Sequence, residues 1–160
     1  MNERELTIRT AGLRDIPRIL ELLRQVNNVH HDIRPDLFVK YKTKYEAEEL
    51  ALLMGKPDAA IFVAEDAARH VYGYLFALIR ASKGSNLVPH KSLYIDDLCV
   101  DAAARGMGIG SFLLDRAKAY AKSIACDSIT LNVWQGNDPA QRFYEDNAFS
   151  VRSYTMECEL

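Results

Sequence analysis

The chain has 160 residues, 49% hydrophobic and 26% charged, with a net charge of −2 at pH 7. That length buries a core as a single domain over residues 1–160. The charge balance lacks the basic patch of a nucleic-acid binder, and no apolar run approaches the roughly 18 residues of a membrane span. Cys99, Cys126 and Cys158 are widely spaced and form neither a CxxC pair nor a metal pattern. The opening run MNERELTIRT lacks the apolar stretch of a signal peptide. Together these point to a reduced, cytoplasmic setting with no metal and no membrane partner.

Glu5–Thr10 reads as an edge strand. Asp15 and Pro17 then open a helix with Ile16, Ile19, Leu20, Leu23 and Val26 on one stripe. Asn27–Pro35 reads as a loop holding His30 and His31, and Leu37–Met54 as a second helix ended by Gly55 and Pro57. Ala59–Asp66 and Val71–Arg80 form a hairpin, the second strand apolar on both faces and therefore central. Ser82–Lys91 is a polar loop. Ser92–Val100 is a strand whose apolar phase slips: Leu93 and Ile95 share one face, Leu98 and Val100 the other, with the switch at Asp96–Asp97. A slip of one residue predicts a β-bulge.

After a glycine-rich run, Ile109, Phe112, Leu113, Ala117, Tyr120, Ala121 and Ile124 recur at helical spacing. Ser128–Trp134 alternates as a strand. Asp138, Pro139 and Gln141 supply an N-cap, a first-turn proline and a capping-box partner for a short helix, Pro139–Asp146. Asn147 suits the left-handed position that follows. Ser150–Glu159 reads as the last strand. This order specifies a mixed α/β single domain.

The run RGMGIG, Arg105–Gly110, lies between a strand and a helix. Glycines let a backbone approach a ligand, and the helix N-terminus presents free N–H groups to an anion. A P-loop needs a GK[ST] ending that is absent. The dinucleotide fingerprint needs a third glycine where Ser111 stands, which weakens a nucleotide-dependent oxidoreductase. The pattern [QR]-x-x-G-x-[GA] is met by Arg105, Gly108 and Gly110, and a second block, ITLNVWQGNDPAQRFYEDNAF, places Asn137, Ala140, Phe143, Tyr144 and Phe149 in order. In these two blocks, from about Leu93 to Phe149, the chain resembles the GNAT N-acetyltransferase superfamily.

The resemblance implies a mixed, mostly antiparallel sheet splayed at a bulge and flanked by about four helices. It also implies acetyl-CoA as co-substrate. Arg105, Gly106, Met107, Gly108, Ile109, Gly110 and Ser111 would hold its diphosphate. Leu98, Cys99 and Val100 would meet the pantetheine arm through their main chain, one amide polarising the thioester, and Asn137 would bond the same arm. Tyr144 would give its proton to the departing thiolate.

An amine of pKa ~10.4 is neutral in roughly one molecule per thousand near pH 7.4, so a base or a relay is needed. Asp96 and Asp97 are the candidates to deprotonate or orient the amine, with His30 and His31 as candidate substrate residues in the acceptor wall. The stretch LYIDDLCV also resembles members acting on protein N-termini or diamines, and the acids suit a cationic amine. Cys99 reads as a buried, inert thiol. A non-catalytic acyl-CoA-binding module is the alternative. Many bacterial relatives pair as dimers, and the sequence leaves a homodimer open.

Overall fold

The computed structural model describes residues 6–160, so the proposed strand start at Glu5 lies outside the described residues. Five strands form one sheet in chain order: β1 (Thr7–Thr10), β2 (Ala59–Glu65), β3 (Val71–Ala81), β4 (Lys91–Val100) and β5 (Ser128–Leu131). The first four are antiparallel neighbours, whereas β5 lies parallel to β4. Four helices flank the sheet: α1 (Ile16–Ile33), α2 (Ala47–Met54), α3 (Ile109–Ser123) and α4 (Asp138–Asp146).

The sheet has a core on each face. Leu113, Leu114, Ala117 and Ala121 of α3 pack on Phe62, Leu75, Leu93 and Ile95, with Phe143 and Tyr144 of α4 at the margin. On the other face, Ile19, Leu22 and Leu23 of α1 and Leu50 of α2 cover Ile61, Val63, Tyr74 and Phe76. β3 contributes to both cores, as its two apolar faces require. Phe112 is the exception to the expected α3 stripe: it is 54% exposed, and Leu114 is buried instead.

Three expectations for the α1–α2 region and the closing strand are corrected. α1 runs on to Ile33, so His30 and His31 lie in its last turn rather than in a loop. No glycine or proline lies between Pro17 and Pro35, and Asn27 and Asn28 turn their side chains outward to Val39 and Tyr41 of the next segment. The second helix is much shorter than Leu37–Met54. It begins only after Glu46, whose capping box with Glu49 sets the start. Residues 34–46 form turns, with Tyr41 in the left-handed region at φ 63°. Finally, residues 150–160 form no strand.

The bulge is present. Phe76 pairs with Asp97 and Ala77 with Ile95, leaving Asp96 as the extra residue. Pairing of β4 with β5 runs from Ser92–Ser128 to Ile95–Leu131 and ends there. The two parallel strands therefore separate where the bulge begins, and this opens the sheet beside the second half of β4.

Candidate functional site

One wall of the opening is the start of α3. Gly108 is its N-cap at φ +78°, a left-handed conformation that favours glycine, and Gly106 adopts φ +79°. No side chain caps this helix. None of the backbone N–H groups from Gly106 to Ser111 donates to a backbone carbonyl among the described residues. Six consecutive donors thus lie at the positive end of a 15-residue helix. Residues 105–108 are exposed. Arg105 is held beside them by its Nε donating to the Val100 carbonyl at 3.3 Å.

Gly110 has a different role. A Cβ there would lie 2.9 Å from the Phe143 ring. Its lack of a side chain lets α4 pack against the first turn of α3, which brings Tyr144 towards the same opening. Tyr144 is wedged between Phe143 and Phe149, at centroid distances of 5.1 and 5.5 Å. Burial, and then the nearby Asp97 charge, hold its phenol protonated well above the ordinary tyrosine range.

α4 begins one residue earlier than expected. Asn137, not Asp138, is the N-cap, its Oδ1 accepting from Ala140 N–H at 3.3 Å. The side-chain oxygen of Asn137 thus serves the helix, and its amide nitrogen is the group left to meet a ligand. At the other end, Ala148 rather than Asn147 takes the left-handed position, at φ 68°. Asn147 instead donates its side-chain amide to the Phe143 carbonyl at 2.8 Å.

The acidic pair lies on the α1–α2 side of the opening. Asp97 accepts from the Tyr74 hydroxyl at 3.1 Å. Burial pushes its carboxyl up to about 6, with Asp96 acting in the same direction. Lys44, the Tyr74 hydroxyl and the Leu98 amide oppose the rise. Asp96 accepts from the Tyr45 hydroxyl at 2.6 Å and pairs with the Lys44 ammonium at 2.8 Å. That ammonium lies 5.5 Å from the Tyr45 ring centroid. Tyr45, Phe76 and Asp96 line a small cavity.

Two histidines of the last turn of α1 contact Phe38 of the segment that carries Lys44 and Tyr45. Burial, and then Lys44, lower the pKa of His30, whose ring packs on Phe38 at 5.1 Å. His31 faces the Phe38 carbonyl, its Nδ1 at 2.7 Å, and so ties down the 34–46 segment. Phe38 meets Trp134 edge to face at 5.4 Å, linking that segment to the chain beyond β5. Cys99 points into the α1 core, its thiol donating to the Leu22 carbonyl, and burial pushes it up to about 12. It is therefore a thiol, not a thiolate, at neutral pH.

Lys44, Tyr45 and Tyr74 escaped the sequence reading. The first two fall in a stretch read as helix, and Tyr74 in a strand read as apolar on both faces. The period-two register of β3 opposite the bulge was the available signal, since it puts Tyr74, Phe76 and Asp97 on one side.

The model of the acetyltransferase (GNAT) family matches residues 26–149. The chain belongs to this family. A glucosamine 6-phosphate N-acetyltransferase of Oryza sativa subsp. japonica is 36% identical over 92 residues, which is 53% of this chain and 50% of that protein. The chain thus matches about half the length of the curated relatives. Among solved structures, a point mutant of protein BH1408 from Bacillus halodurans superposes with a TM-score of 0.92 at 27% identity, covering 96% of this chain and 99% of that one. An aminoglycoside acetyltransferase from an uncultured soil metagenomic sample shares the fold, with a TM-score of 0.75 at 19% identity over 100% and 98% of the two chains. Among the described residues no helix is long and apolar enough to cross a membrane, and no cluster of His, Cys, Asp or Glu could hold a metal ion.

Proposed function

We propose that this GNAT protein transfers an acetyl group from acetyl-CoA to a primary amine that is cationic in solution, by direct attack of the amine on the thioester. The observation that carries this reading is the coincidence at Asp96. There the bulge, the parting of β4 from β5 and the two carboxylates fall together, and the first carboxylate already holds an ammonium, that of Lys44.

The six unpaired N–H groups of Gly106–Ser111, with Arg105 beside them, receive the donor's diphosphate. The main chain of Leu98–Val100, unpaired on its β5 side, and the amide of Asn137 take the pantetheine arm. A strand amide in the same stretch polarises the thioester carbonyl. Asp96 and the Tyr45 ring orient the incoming ammonium in place of Lys44. Asp97 takes its proton: a carboxyl at about 6 is ionised at neutral pH yet more basic than an ordinary aspartate.

The amine then bonds to the acetyl carbon, the C–S bond breaks, and the nitrogen loses its second proton to solvent as the amide forms, offsetting the one the thiolate takes up. Tyr144 donates to the departing sulfur. A phenol held above its usual range lies well above a thiol of about 8.5. Tyr144 therefore acts chiefly by hydrogen bonding to the developing thiolate, and the proton passes over only as charge builds on sulfur.

The test is CoA release from acetyl-CoA against polyamines, aminoglycosides, amino acids, and peptides with free N-termini or lysines. Turnover with one cationic class and none with neutral amines is expected. Tight acetyl-CoA binding with no turnover on any acceptor would overturn the catalytic reading in favour of a binding module.

A further inference from the structure

Lys44 stands where an acceptor amine would have to stand. Its ammonium pairs with Asp96 at 2.8 Å, and the hydroxyl of Tyr45, the next residue, donates to the other oxygen of the same carboxylate at 2.6 Å. The Asp96 side chain is 11% exposed and that of Lys44 48% exposed. Among the described residues no other lysine lies within ion-pair distance of a carboxylate. Asp96 is also the extra residue of the bulge, and β4 parts from β5 immediately before it, after Ile95. A half-exposed ammonium thus rests on a covered carboxylate at the mouth of the opening.

The backbone around Lys44 leaves that ammonium free to move. The segment is pinned by side chains on either side of it. Asn27 bonds the Val39 carbonyl, Asn28 accepts from the Tyr41 amide, and Tyr45 bonds Asp96. Between these anchors, Thr43 and Lys44 make no backbone hydrogen bond among the described residues. The Lys44 ammonium can therefore swing off Asp96 on its flexible four-carbon stem without breaking a backbone contact.

We propose that Lys44 is an acceptor of the enzyme itself: resting on the acetyl-transfer reading above, a thioester held beside Leu98–Val100 acetylates Lys44 Nζ of the same chain, and the product vacates Asp96 for an external cationic amine. The ammonium gives one proton to Asp97, and the Nζ lone pair bonds to the acetyl carbon. The C–S bond breaks, the sulfur takes a proton from Tyr144, and the nitrogen loses its second proton to solvent as the amide forms. Tyr144 regains a proton from solvent, and CoA leaves as the thiol. Tethering places this amine at a high effective concentration, so it competes well with free amines. Acetyl-lysine carries no charge and forms no ion pair. Asp96 then keeps the Tyr45 hydroxyl and has an oxygen free for the next ammonium.

The test starts from protein whose Lys44 is unmodified by peptide mapping, incubated with acetyl-CoA and no amine. One acetyl group per chain should appear at Lys44, at a rate per molecule unchanged on dilution of the protein. The exposed Lys40 and Lys42 report uncatalysed acetylation and should lag Lys44 by about tenfold or more. Tyr144→Phe should slow the modification of Lys44 by about tenfold and leave Lys40 and Lys42 unchanged. For an external cationic amine, the acetylated protein should have a KM about fivefold below that of Lys44→Arg, which keeps a cation at Asp96 but takes no acetyl group. Lys44→Gln should match the acetylated protein, and circular dichroism checks that each variant folds. Turnover of an external amine with Lys44 unmodified, or modified no faster than Lys40 and Lys42, would overturn the inference and leave the acetyl-transfer reading standing. A KM no lower in the acetylated protein than in Lys44→Arg would overturn the clearing of Asp96. Neither turnover nor acetylation at Lys44 would overturn both readings together.

Discussion

Asp97→Asn separates the cost of holding a charge from its use. Burial raises the Asp97 carboxyl from 3.8 to about 6, and at roughly 1.4 kcal/mol for each pH unit the folded protein loses about 3 kcal/mol by keeping this group ionised. The folded state holds its proton more tightly than the unfolded chain does. The loss is therefore absent below about pH 4, grows through about pH 6 and is complete above pH 7. Asparagine keeps an acceptor for the Tyr74 hydroxyl and carries no charge. At pH 8 the variant should be more stable than the wild type by up to about 3 kcal/mol, a rise in Tm of several degrees for a domain of this size. The advantage should fade to nothing by pH 4. Turnover should move the other way, falling by about 100-fold or more with the loss of a general base. The wild type's kcat/KM should fall on acidification with a midpoint near 6 that the variant lacks. Thermal melts from pH 4 to 8 and a pH–rate profile are the assays. Equal melting temperatures at pH 8, or an acid limb that persists in the variant, would refute the reasoning.

Tyr144→Phe keeps the ring between Phe143 and Phe149 and removes only the hydroxyl. kcat should fall at least tenfold while acetyl-CoA binding, followed by calorimetry, is unchanged; near-normal turnover would remove Tyr144 from the mechanism. Gly110→Ala should destabilise by about 1–3 kcal/mol, although alanine is the better helix former by about 1 kcal/mol, because its Cβ meets the Phe143 ring at 2.9 Å. Phe143→Leu should restore much of the loss in a double-mutant cycle, and additive effects would show that the ring is not the obstacle.

The sequence specifies this fold best where one element must satisfy two constraints. The phase slip at Asp96–Asp97 identified the bulge, and the bulge brings Leu98 and Val100, read from the alternation as facing the other way, onto the same core as Leu93 and Ile95. The α3 stripe and the glycine run were legible because helix period and turn chemistry agree. The reading failed where local pattern and tertiary contact differ. Asn27 and Asn28 look like a helix stop, but their side chains serve residues 39 and 41. Residues 37–46 have helical spacing, yet Phe38 and Tyr45 are drawn off to Trp134 and Asp96. That detour carries Lys44 and Tyr45 to the acids, so the acceptor side of the site was the less legible half. Residues 150–160 have the sequence of a strand, but a strand needs a neighbour, and they make no backbone hydrogen bond to one among the described residues.

Two close contacts between elements tie the donor half of the site to the acceptor half. Gly110 against Phe143 sets how near α4 stands to the Gly106–Ser111 turn, and hence, in the proposed reaction, where the Tyr144 hydroxyl would lie relative to a thioester held at that turn. The single unpaired residue at Asp96 sets both where β5 parts from β4 and which way the acids face. Shifting the bulge by one residue would reverse the side-chain alternation of part of β4. Asp97 would then lose Tyr74 and turn towards α3, even if the opening remained. The chemistry thus depends on register more than on which acids are present. For this reason Asp96→Glu, which keeps charge but lengthens the side chain by one methylene, should disturb turnover through the Lys44 and Tyr45 contacts while leaving acetyl-CoA binding intact.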